Sequence, residues 1–235
     1  MNQMGLAFVL VLSLAFSCSP TSRANRKPYE DDVLRHATLA VAPLAAQPQF
    51  LTSEENAGEF VLTMPAEIYR SYFEEGLALS LQSRAKFETI RPAMFKSAPS
   101  LQPRILPTQD DSFISLNLPT EPLEFDSLAA DFTLFLEDVR AELTRENVEQ
   151  GDPRRSISGS RNGTPQPPFS RAAAGPILFV QTAQFAFIDN HTHELVHYGT
   201  ARSATVWQEE MPEFLLKSAL DDLAKMLLSG TSFIK

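Results

Sequence analysis

Three stretches of this chain alternate with a period of two over twelve or more residues, a pattern that suits strands and that a helix cannot use. In the first, Phe132, Leu134 and Leu136 are followed by Val139, Ala141 and Leu143, with Asp138, Arg140, Glu142 and Thr144 between. Thr133 and Phe135 make its start apolar on both faces, so this strand is expected to be buried at its beginning and half exposed at its end. The second runs from Ile177 to Ile188, with Ile177, Phe179, Ala183, Phe185 and Phe187 on one face. The third runs from Leu195 to Trp207. Asp189 and Asn190 stand at the break between the last two, and such residues make turns, which predicts an antiparallel meander.

Period-3.6 segments flank these strands. Ile68, Tyr69, Tyr72, Phe73, Leu77 and Leu81 predict a helix opening near Pro65 and running to Arg84. Phe214, Leu215, Ala219, Leu220, Leu223, Met226 and Leu227 predict another from Pro212 to Leu228, with Gly230 as its C-terminal cap. Short apolar runs at Ala37–Leu44 and Phe87–Ile90 read as strands before and after the first helix. The expected fold class is α+β: an α/β sandwich with a mainly antiparallel sheet, two helices packed on one face, and an N-terminal signal helix. An apolar content of 43% with 21% charged residues is enough for one core.

The ends and interruptions set the domain limits. Gly5 to Phe16 is an uncharged apolar run, too short to span a bilayer, which takes about 20 residues, and it is followed by Ser17, Cys18, Ser19 and Pro20. Residues 1–17 are therefore expected to be a signal peptide, 18–35 a polar tether, and 36–235 a single α/β domain. That domain is interrupted by a proline-rich connection at 91–122, with one strand near Phe113–Leu118, and by a flexible loop at 145–175. The loop carries an excess of arginine, the one part suited to an acidic partner, while the net charge of -9 excludes nucleic acid as a partner. A single cysteine excludes a disulfide framework.

His193-Glu194-Leu195-Val196-His197 matches H-E-x-x-H, in which two histidines one helical turn apart bind Zn²⁺ and the glutamate activates a metal-bound water. One functional alternative is thus a zinc metallopeptidase with His193 and His197 as ligands and Glu194 as general base. Another is loose metal binding at the His191/His193 turn. The chemistry needs a helix, whereas Val196, Tyr198, Thr200, Thr205 and Val206 are strand formers and Gly199 would end a helix early. The residues therefore place these histidines on a turn and a strand, facing solvent, with no catalytic residue, no metal and no cofactor. The carboxylate pairs Glu54/Glu55, Asp110/Asp111 and Asp221/Asp222 are expected at the solvated surface.

Ala15-Phe16-Ser17-Cys18 resembles the lipobox of bacterial lipoproteins, which are cleaved before a cysteine whose sulfur is then diacylated. Taken with the strand Leu39-Ala40-Val41-Ala42-Pro43-Leu44, the passage Leu77-Ala78-Leu79-Ser80-Leu81 into Phe87-Glu88-Thr89-Ile90, the paired strands around Asp189-Asn190 and Val196-His197-Tyr198-Gly199, and a terminal helix, the chain resembles bacterial envelope lipoproteins of the curli-secretion, penicillin-binding-protein-activator and transport-auxiliary kind. The resemblance implies acylation (palmitate) of Cys18, a position facing the periplasm, at the outer membrane, and a non-catalytic role in binding or assembling an envelope protein partner. A carrier of lipid or another apolar ligand in a groove between sheet and helices is a third reading.

Overall fold

A computed structural model describes residues 22–25, 29–52, 66–126, 129–145, 176–207 and 212–235. The signal segment 1–17, Cys18 and loop residues 146–175 lie outside them. The elements in chain order are β1 (Ser22–Asn25), α1 (Asp31–Arg35), β2 (Thr38–Val41), β3 (Gln49–Thr52), α2 (Ala66–Arg84), β4 (Thr89–Pro92), β5 (Leu101–Pro107), β6 (Phe113–Pro119), β7 (Phe132–Arg145), β8 (Ile177–Asp189), β9 (Glu194–Val206) and α3 (Pro212–Leu228).

The three long alternating runs form β7, β8 and β9, paired antiparallel as expected. They are the middle of a seven-stranded sheet in the order β1-β9-β8-β7-β2-β4, with β3 also on β7. The sheet is mixed at its far side, where β2 runs parallel to both β4 and β7, and β3 parallel to β7. The passage from β2 through α2 to β4 explains this, since a helical crossover returns the chain parallel to the strand it left.

Helices α2 and α3 cover one face. Tyr69, Phe73, Leu77 and Leu81 of α2 and Leu216, Leu220, Leu223 and Leu227 of α3 pack on Leu134, Leu136, Phe185 and Phe187. Ser80 Oγ donates to Asp221 Oδ1 at 2.6 Å across the two helices, so one of the expected surface carboxylates has an inter-helix partner. Near the C-terminus Phe233 meets Tyr29, Phe87, Phe132 and Phe187 at centroid distances of 5.2–5.9 Å, closing the end of this core.

Two expectations need correction. The segment 18–35 is not only a tether: β1 extends the sheet along β9, and α1 buries Leu34 completely. An open strand edge satisfies its backbone groups with whatever extended chain reaches it, regardless of side-chain pattern, and one leucine in a polar stretch leaves no periodicity. The connection at 91–122 likewise contains two strands rather than one, and β5 and β6 form an antiparallel hairpin. Its Ile114, Leu116 and Leu118 cover the second face of the sheet against Ala42, Phe135, Ala186, Ile188 and Tyr198. The molecule therefore has three layers: helices, sheet and hairpin.

Candidate functional site

The H-E-x-x-H residues do not share a helix. His193 sits in the tight turn after β8 with a left-handed backbone (φ 58°), and Glu194 opens β9. One histidine in the turn and the other in β9 are not brought together on one face as the zinc motif needs. A bulge at Ile188/Leu195 to Phe187/His197 turns both Val196 and His197 toward the helices. His197 is therefore buried rather than facing solvent as expected, its ring 4.9 Å from Phe185 and 5.9 Å from Phe187. His193 instead lines a shallow cleft of about 160 Å³ on the hairpin side, with Arg104, Glu121 and Asn190. His191 turns elsewhere again, its Nε2 2.8 Å from Asp131 Oδ1. Among the described residues no three His, Cys, Asp or Glu side chains converge as a metal site.

The turn itself is built by its first two residues. Asp189 accepts hydrogen bonds from the backbone N–H of His191 (2.9 Å) and Thr192 (3.2 Å) and from the Tyr29 hydroxyl (2.8 Å). Burial alone would raise its carboxyl pKa, but these donors outweigh burial and hold it below the usual carboxylate range. Burial of the ring, and then the same contact, push the Tyr29 phenol up. Asn190 donates to the carbonyl of Ala130 (2.7 Å) and pairs with Thr133, pinning the turn to the start of β7. These polar residues hold the turn in place.

The sequence did not announce two further features of the surface. The first is a cleft of about 510 Å³ where β2 and β3 leave a gap along β7. At that gap β7 bulges: Asp138 takes a left-handed backbone (φ 46°) and Arg140 Nε donates to its Oδ1 at 2.7 Å. The connection after β2 forms one wall and is fixed by α2, since Arg70 donates to the carbonyl of Leu44 (2.6 Å) and Glu74 accepts from its N–H (3.1 Å). Glu137 lies in the floor and takes hydrogen bonds from the backbone N–H and side-chain amide of Asn117, at 3.0 and 3.2 Å. Burial raises its carboxyl pKa, more than the Asn117 bonds lower it. The remaining lining mixes apolar Leu44, Leu101, Leu136 and Val139 with the amides of Gln47, Gln49 and Gln184.

The second is the outer face of the hairpin. Ile105 and Phe113 are 75% and 73% exposed. Pro107 lies opposite Phe113 and Ile105 opposite Ser115, so both side chains stand on the same face, diagonal neighbours about 7–8 Å apart. Pro103 and Pro107 flank Ile105 on that face. The hairpin is held to the sheet by its inner leucines and by Tyr198, whose hydroxyl donates to the carbonyl of Pro107 at 2.6 Å. Flanking hydrogen bonds at Thr108/Ser112 and Thr120/Ser100 fix the phase of the ladder and put Pro103 and Pro107 at positions whose nitrogens point away from β6. Two donors are thereby missing from the outer edge of β5, which blunts it against strand addition. The space between sheet and helices, the expected place for an apolar ligand, is filled by Tyr69, Phe73, Leu77 and Leu220.

No family model matches the chain, and no curated protein does. Among solved structures it is similar to the PelC dodecamer from Paraburkholderia phytofirmans, at 12% identity with a TM-score of 0.36, covering 89% of this chain and 96% of that one. A hypothetical protein from Chlamydia trachomatis is similar at 9% identity and a TM-score of 0.37, covering 83% and 99%. A putative neuraminyllactose-binding hemagglutinin homolog from Helicobacter pylori is similar at 11% identity and a TM-score of 0.32, covering 87% and 83%.

Proposed function

We propose that this chain is a bacterial envelope lipoprotein, anchored in a membrane through acylated Cys18 and facing the periplasm, whose domain binds or assembles a protein partner without catalysis. The observation that carries the reading is the outer face of the β5–β6 hairpin, where Ile105 and Phe113 are held in water on a support clamped to the sheet. Exposed large apolar side chains on a rigid support are what a partner's surface buries. With β5 blunted by prolines, the contact is made by side chains rather than by strand addition. The apolar run Gly5–Phe16, followed by Ser17 and Cys18, supports the anchor.

Each half has its own test. Cells given radioactive palmitate should label the wild-type chain and not Cys18→Ala; an unlabelled wild type removes the anchor. Capture from detergent-solubilised membranes should return a partner with the wild type and lose it with Ile105→Asp/Phe113→Asp at unchanged thermal stability. A partner retained by that variant removes the docking face.

A further inference from the structure

We propose that the cleft at the β7 bulge binds a primary alkylammonium group, with Glu137 as its counter-ion. The space is about 510 Å³, within the range of small-ligand sites. The chain goes to some length to form it: the bulge holds Asp138 in a left-handed conformation, and strained non-glycine residues of this kind cluster where a site needs them. The wall at Leu44 is fixed at both its backbone groups by Arg70 and Glu74, so the cleft is formed before any ligand arrives.

The lining selects the ligand. Leu44, Leu101, Leu136 and Val139 offer an apolar passage for methylene groups, and among the described residues no lysine, arginine or histidine lines the space. Of the two carboxylates among the described lining residues, Asp138 is paired with Arg140, whereas Glu137, among the described residues, takes its hydrogen bonds from the neutral Asn117. No cation among the described residues forms an ion pair with Glu137, and its half-buried position raises its carboxyl pKa, as expected of a charge short of compensation. A neutral ligand would leave that charge uncompensated, and an anion would be repelled. An ammonium group on an alkyl chain satisfies carboxylate, amides and apolar walls together. Two sources present this group, a free alkylamine and a lysine of a partner. Ser115 lies both in the lining and opposite Ile105, so a partner on the hairpin face is within reach; this second source rests on the docking reading.

The test uses the full chain, nitrogen-15 labelled in detergent, titrated with 1,5-diaminopentane, with N-acetyl-lysine-N-methylamide and with neutral 1-pentanol. The side-chain amide signals of Gln184, Gln47 and Asn117 should shift saturably with the amines and not with pentanol. Glu137→Gln should weaken binding about tenfold or more, the weight of one charge-assisted hydrogen bond. Because that variant also alters the Asn117 contact, Ala46→Phe, which fills the cleft from an exposed wall residue, should abolish binding with β-sheet signals unchanged. Response to diaminopentane alone assigns a free amine, and response to the lysine derivative as well assigns a protein side chain. Absent shifts, shifts away from the cleft, equal response to pentanol, or binding retained in both variants overturns the proposal. None of these outcomes depends on the anchor or on a captured partner.

Discussion

Gly76 is the point at which helix propensity and packing oppose each other, and the distances decide which prevails. It lies within α2, and a Cβ placed on it would stand 2.6 Å from Cδ1 of Leu220 in α3. Two carbons rest in contact at about 3.5–4.0 Å, so roughly 1 Å has to be found. Leu220 is only 1% exposed and packed among core leucines, so its side chain has little room to swing away. Replacing a mid-helix glycine by alanine gains about 1 kcal/mol of helix propensity, while forcing a methyl into a filled core costs about 1–3 kcal/mol. Gly76→Ala should therefore be destabilising by ~1 kcal/mol. Urea unfolding followed by circular dichroism should give a lower midpoint at an unchanged slope. In a Leu220→Ala background the clash is gone and the same substitution should stabilise, a coupling of about 1–2 kcal/mol between the sites. A raised midpoint for Gly76→Ala alone would refute the close approach of α2 and α3.

Other expectations follow from the polar groups and the hairpin. The Asp189 carboxyl is held below its usual range by its three donors, so it contributes stability above the unfolded carboxylate pKa of about 4, and that contribution is lost as pH falls through the folded value. Asp189→Asn should cost about 1–3 kcal/mol at neutral pH and flatten the acid limb of a urea-midpoint series. Glu137 has the opposite sign: its raised pKa makes folding less favourable as pH rises from the unfolded value through the folded one, and Glu137→Gln should remove that decline from the same series. Leu116→Ala, at a residue 1% exposed between hairpin and sheet, should cost about 2–3 kcal/mol; by hydrogen exchange β5 and β6 should lose protection while β7 and β8 keep theirs.

Much of this fold is legible residue by residue. The face-lining series of β7 steps by two to Leu136 and then by three to Val139, and that odd step is the bulge at Glu137–Arg140, where the cleft forms. Asp189-Asn190 reads as a turn because such side chains bond locally; Asp189 does so with His191 and Thr192, while Asn190 reaches back to Ala130 and Thr133 instead. The hairpin was half hidden. Pro103 and Pro107 argue against a strand in any interior position, yet β5 has a partner on one side only and tolerates them where no N–H is required. H-E-x-x-H carries no information about backbone conformation, and the β-branched and aromatic residues after it give it to a strand. Glu137 had no sequence signal of its own. Its setting is made by Asn117, twenty residues away, and by a wall from the β2–β3 connection.

Docking through the outer hairpin face is tested most directly inside the cell, by placing p-benzoylphenylalanine at Phe113 and, as a control, at Leu79, an equally exposed residue on α2 beyond the other face of the sheet. Irradiation should give one discrete cross-linked species from position 113 and none from position 79. Cross-links from both positions alike, or from position 79 only, would contradict a partner seated on the hairpin.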